Sequence, residues 1–254
     1  TAAPATTAQI TTCNTARSGG TATNNGVYMQ AVDTDTDATT SNSSSATLNV
    51  GTGSNVLFAG LYWSGISSSA ANRAAVRLAT PATGTSVALT ASSTSVIGNN
   101  YQSFVDVTAL VQAGGNGTYT VGNVASTTAA NSWAGWSLVV AYRNTSLPTR
   151  NLAVFDGFLE ASNPQAPLDI SVSGFITPSV GAVRSTIGVV AWDGDRGQQE
   201  GASATPQGSL RFGPNTASLS TVSNTVNTVN DVFNSTISAT TGIAGGGANV
   251  TAGQ

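Results

Sequence analysis

Val56-Leu57-Phe58-Ala59-Gly60-Leu61-Tyr62-Trp63 is the most apolar run in the chain. A membrane helix needs about 20 apolar residues, so this run is too short to span a bilayer. A brief apolar run bounded by turn residues reads instead as a central strand covered on both faces. Outward from it, short alternating runs recur between clusters of Gly, Asn, Ser and Pro. That is the pattern of sandwiches and barrels. It predicts strands over 27–32, 46–50, 73–79, 85–91, 94–97, 102–107, 119–121, 137–142, 151–158, 168–176, 184–192 and 209–212, with 7–13 as an exposed first strand. Residues 106–112 predict one helical turn capped by Asp106 or Thr108. The expected fold is all-β, a single sandwich or jelly-roll-like domain with terminal strands open to exchange between subunits.

Composition narrows the chemistry. The 254 residues contain no His and no Lys, one Cys and one Met, and only 7% are charged. Most side chains used for acid–base, nucleophilic or soft-metal chemistry at neutral pH are therefore missing, and no enzymatic role is expected. The net charge of -3 lacks the basic footprint that nucleic acid requires. β-Proteins commonly protect sheet edges with Lys. A chain without Lys either reflects compositional drift or belongs to a subunit that associates.

Cys13 excludes an intrachain disulfide and is either a bridge to a neighbour or a small buried residue. The opening Thr1-Ala2-Ala3-Pro4-Ala5 resembles the sequence after a small-residue cleavage site, so export is expected. Asn-x-Ser/Thr matches occur at Asn42, Asn116, Asn144, Asn234 and Asn249. In so Asn-, Ser- and Thr-rich a chain they support glycosylation only weakly. Three segments are expected: 1–20 as an N-terminal candidate exchanged strand, 21–216 as the sandwich core, and 217–254 as a C-terminal strand segment with a Gly-rich tail.

Five constellations could carry function. Asp33, Asp35 and Asp37 alternate in a polar loop, a hard-oxygen arrangement suited to calcium, although Asp equally favours turns. Asp193, Asp195 and Glu200 follow Trp192 and make a second calcium candidate, with Arg196 placed to neutralise part of it. Asp156 and Glu160 are the minimum pair for glycoside hydrolysis. Along a continuous strand they would lie roughly 13 Å apart, too far for that chemistry. Tyr62, Trp63, Trp133 and Trp136 are either core aromatics or a glycan-stacking surface. The termini could add strands to a neighbour's sheet, with Gln9, Ile10, Cys13, Val226, Val229 and Phe233 at that interface.

A resemblance covers roughly residues 27–238. It rests on Ser43–Leu48 with Val56–Trp63, on Gly135–Tyr142 with Ser146-Leu147-Pro148 and Leu152–Phe158, and on Asn230–Ile237. Together these resemble the N-terminal β-module of large secreted bacterial cell-surface proteins known mainly through domains of unknown function. The resemblance implies secretion and a surface or matrix setting, and it carries no activity. The expected role is a structural subunit of an extracellular fibre or surface assembly that binds copies of itself by strand addition. The alternative is an adhesive or carbohydrate-binding module with a loop calcium, and a carboxylate-only glycosidase comes last.

Overall fold

The computed structural model describes residues 2–3, 11, 15, 26–161, 167–176, 179–181, 185–194, 208–234 and 236–238. The apolar run that opens the sequence reading becomes β4, Asn55–Ile66, the longest strand. The other strands are β1 (Ala2–Ala3), β2 (Tyr28–Met29), β3 (Ser43–Leu48), β5 (Ala75–Ala79), β6 (Ser86–Thr90), β7 (Ser93–Ile97), β8 (Asn100–Asp106), β9 (Gly117–Gly122), β10 (Ala134–Arg143), β11 (Leu210–Phe212) and β12 (Ser220–Val222). Two short helices interrupt them, α1 (Ala70–Arg73) and α2 (Thr108–Gly114).

The fold is all-β. One four-stranded sheet has the order β3-β9-β5-β6 and the other the order β10-β4-β8-β7. Every ladder is antiparallel. Both sheets feed one core. Val76, Leu78, Tyr119 and Val121 come from the first, and Ala59, Leu61, Trp63 and Tyr101 from the second. All the ladders of these two sheets fall within 43–143, a narrower span than the 21–216 expected for the core.

β4 is covered on both faces, as its sequence implies. Ala59, Leu61 and Trp63 face the core together with Val140, Leu138 and Trp136, their partners on β10. The alternate residues Phe58 and Tyr62 point the other way and pack against Phe104 of β8, with ring centroids 6.5 and 4.9 Å away. Burial of each large apolar side chain stabilises the fold by roughly 1.5–3 kcal/mol. Leu57 is the extra residue of a bulge, because Ala141 pairs with Phe58 while Tyr142 pairs with Val56. The bulge turns Leu57 out to solvent.

Four core aromatics carry a polar atom that finds a main-chain or hydroxyl partner. Trp63 Nε1 donates to Arg73 O at 2.8 Å. Tyr101 Oη donates to Ala125 O at 2.8 Å, and Tyr119 Oη to Gly115 O at 2.7 Å. Trp136 Nε1 donates to Ser44 Oγ at 2.8 Å, tying one sheet to the other. The helical turn expected over 106–112 spans Thr108–Gly114, and its N-cap position is Val107, without the side-chain cap expected of Asp106 or Thr108. Asp106 Oδ1 accepts from Thr108 N just outside the helix, and Gly115, at φ 65°, ends it.

Several predicted strands do not form ladders. Residues 27–32 contribute only Tyr28–Met29, which pair with Ala2–Ala3 of the same chain. Residue 73 of the predicted 73–79 strand closes α1 instead. Over 151–158, 168–176 and 185–192 there is neither helix nor ladder. Their alternation is genuine, but no described strand lies alongside to complete it.

The core's tolerance is testable at two glycines. A Cβ on Gly65 would sit 2.6 Å from Ala125 O and 3.2 Å from Trp133 O, both main chain, whereas one on Gly26 meets nothing within 4 Å. Gly65→Ala is expected to lose about 1–3 kcal/mol. Gly26→Ala should stay within about 0.5 kcal/mol of the parent. Urea midpoints at unchanged slope measure both.

Candidate functional site

The loop 33–41 is built from Asp, Thr and Ser, each able to hydrogen-bond nearby main chain. Asp33 Oδ1 accepts from Ser43 Oγ at 2.7 Å. Asp35 Oδ1 accepts from Asp37 N and Thr40 Oγ1, and Asp37 Oδ1 accepts from Thr39 N and Oγ1. The other Asp37 oxygen takes a short hydrogen bond from Ser86 Oγ of β6 and faces Arg77 Nε at 3.9 Å. Arg77 itself donates to Ser86 Oγ and O. One oxygen each of Asp33 and Asp35 and both of Asp37 thus accept from the chain's own donors, and no group of three or more metal-ligating side chains occurs among the described residues. These contacts pin the loop to β5 and β6. In the second candidate, Asp193 adopts φ 59°, a turn conformation suited to Asp, while Asp195 and Glu200 lie outside the described residues.

The aromatic candidates separate. Trp63 is fully buried, Tyr62 nearly so, and Trp136 packs on the core, so the three cannot form a common sugar platform. Burial, with the Asp156 carboxylate adding to it, raises the Tyr62 hydroxyl pKa. Trp133 faces outward and stacks on Trp192, with centroids 6.3 Å apart and planes 13° from parallel. Trp192 was missed as its partner because the two are distant in sequence and only the fold brings them together.

Trp192 also marks one end of a larger feature. The side-chain amide of Gln102, on the outer face of β8, donates to Gly157 O at 2.9 Å through Nε2 and accepts from Trp192 Nε1 at 3.0 Å through Oε1. Asp156 Oδ1 is a second, longer acceptor for Gln102 Nε2 at 3.4 Å. One glutamine thus holds both ends of the stretch between 157 and 192 on the second sheet. Glycine at 135 makes room beneath it, since a Cβ there would lie 3.0 Å from the Trp192 ring. The lobe so anchored exposes Leu159, Ile170, Ile176, Val180 and Val190 to solvent. Asp156 and Glu160 stand at its start. Asp156 is engaged by Gln102 and Glu160 is exposed, and the strand that would have aligned them is absent.

β10, beside this lobe, is ten residues long and pairs with β4 on one side only. No described residue forms a ladder along its other edge. A shallow crevice at one end of the sandwich, about 220 Å³, is lined by Leu48, Val56, Val111, Gln112 and Asn116 among others, and by no charged residue.

The terminal interface candidates are distributed differently from the expectation. Gln9, Ile10 and Cys13 lie outside the described residues. The C-terminal stretch folds onto itself and leaves no free strand among its described residues. Asn227 Nδ2 donates to Val232 O, Asn234 Oδ1 and Thr236 Oγ1, while Asn234 Nδ2 donates to Val226 O. Val226 and Phe233 are half-buried in this knot, and Val229 is exposed. The same pattern answers the glycosylation matches. Asn42, Asn116 and Asn144 donate from their side-chain amides to Val124 O, Val50 O and Thr52 O, and Asn234 is buried. These asparagines tie loops to strands, and Asn249 lies outside the described residues.

No family model, curated protein or solved structure matches the chain. Among the described residues no helix is long and apolar enough to cross a membrane.

Gln102→Ala should release both lobe ends at a cost of about 1–2 kcal/mol for two neutral hydrogen bonds. Loss of the Trp133–Trp192 stack should appear as a red-shifted tryptophan emission with the β circular dichroism unchanged. Hydrogen bonds from Ser86 and Thr39, with a smaller contribution from Arg77, lower the Asp37 pKa from 3.8 to about 2. A depressed carboxylate contributes stability that is present above its unfolded pKa and is lost as pH falls through the folded one. Melting temperature should therefore drop between pH 4 and pH 2 in the parent and less so in Asp37→Asn, while added calcium leaves both curves in place.

Proposed function

We propose that the protein is a structural, non-catalytic subunit of an extracellular fibre or surface assembly, and that it associates with copies of itself by strand addition at an open sheet edge. The observation that carries this reading is β10, a ten-residue edge whose only charged residue is Arg143. Isolated soluble β-proteins blunt such edges with Lys, Pro or inward charge, because unpaired N–H and C=O groups template pairing with another chain. Here none of those devices is present within the strand, and a net charge of -3 on 254 residues offers little repulsion between copies. Main-chain hydrogen bonds would supply the affinity and alternate side chains the register. The resemblance to secreted cell-surface modules supports the extracellular setting.

A second reading is favoured by one observation. Trp133 and Trp192 form a half-buried stacked pair beside Gln102, which suits the apolar face of a sugar ring. Surface glycans would then be the partner, without calcium.

Negative-stain microscopy and sedimentation of the purified chain distinguish the two. Self-association predicts filaments or sheets whose abundance rises with concentration. Monodisperse 25.2 kDa particles at every concentration would refute it. Glycan-array binding that is lost in Trp133→Ala and unaffected by EDTA would establish the second reading.

A further inference from the structure

Exposed apolar surface is not spread evenly over this molecule. Among the described residues, twelve of the twenty-one exposed large apolar side chains fall between Leu152 and Val190. Ile170 is 66% exposed, Ile176 82% and Val180 84%. In β4 the apolar pattern is satisfied on both faces, one set of side chains on the core and Phe58 and Tyr62 against Phe104. Between Leu152 and Val190 an alternation is written into the sequence and nothing described covers it.

We propose that this lobe is the self-association surface, and that its occupant is the lobe and neighbouring β10 edge of a second copy of the chain. The inference rests on the self-association proposed above and replaces the termini as its seat. Area carries the first part of the argument. At on the order of 150–200 Å² for a fully exposed large side chain, the twelve residues present roughly 1,000 Å². That is comparable with the ~800 Å² each partner buries in a standard interface. Anchoring carries the second. The Gln102 amide holds Gly157 and Trp192 on the sheet, so the lobe is presented from a fixed base and less ordering entropy is lost on docking. Chemistry carries the third. Residues 151–192 contain only Asp156, Glu160, Asp169 and Arg184 as charges, so two copies can meet without burying a large field of one sign. Trp192, at the end of the lobe, lies over Gly135 of β10, a strand whose other edge forms no ladder with any described residue. Among the described terminal residues, 2–3 already pair with β2, and the stretch 226–236 is hydrogen-bonded to itself.

The test uses the full chain and two paired variants. Ile170→Asp with Ile176→Asp should reduce assembly to 25.2 kDa particles in sedimentation, at an unchanged melting temperature because both side chains are exposed in the monomer. Ile10→Asp with Val229→Asp should leave assembly intact. The opposite pattern would overturn the lobe while leaving self-association standing. A parent chain that never assembles would overturn both. Concentration-dependent amide exchange gives a measurement free of any folding defect. Amides of 151–192 should gain at least tenfold protection on assembly, and protection confined to the terminal segments would count against the proposal.

Discussion

The main-chain oxygen of Arg73 accepts from Trp63 Nε1 and from Ser103 Oγ, each at 2.8 Å, at the point where the two sheets meet. That junction illustrates the constraint under which the whole fold is built. With 19 charged residues and no His in 254, buried polar groups must be satisfied by neutral donors and acceptors. A buried polar atom without a partner costs about 1–3 kcal/mol, so neutral bonds decide the arrangement even though each contributes little net stability. Aromatic N–H and O–H groups do this in the core, hydroxyls do it between strands, and side-chain amides do it in the loops. The one ion pair among the described residues, Arg77 with Asp37, is long, and Ser86 stands between its members.

The asparagines show how far this goes. Asn116 donates to Val50 O and accepts from Val50 N, and Asn42 does the same with Val124. A side-chain amide has the donor and acceptor of a peptide group, so each of these residues adds a ladder-like rung where the main chain has turned away. Asn123 clamps the same region from Ser41 and Thr39 while itself adopting φ 63°. The loops between sheets are held by such rungs.

This explains what could be read from the sequence and what could not. The strands of both main sheets were legible, because a two-residue period records a buried and an open face whatever the partner is. β4, β7 and β10 follow the runs at 56–63, 94–97 and 137–142, extended by a few residues where ladder bonds outlast the apolar pattern. The same period over 151–192 records a face to be covered but not what covers it. Alternate Asp residues were ambiguous for a different reason. Calcium loops and Asx turns use the same spacing, and only the direction of the carboxylate oxygens separates them. The Gln102 clamp left no local signal at all, since its two partners lie more than fifty residues downstream of it.

The interior solution has an exterior consequence. A chain that fixes its core and loops with uncharged groups gains no charge for its surface, and surface charge is what keeps β-proteins apart. In salt, the field of the few remaining charges decays within about 8 Å. Copies of this protein can therefore approach with their apolar lobes and open edges in line. Once there, the forces available are those that already hold the two sheets together: main-chain hydrogen bonds along an edge and alternate apolar side chains on a face. β4 satisfies both requirements between β10 and β8, whereas no described strand of the chain does so for the lobe. The side-by-side occurrence of a complete and an incomplete version of one packing scheme is why the incomplete one reads as half of a contact.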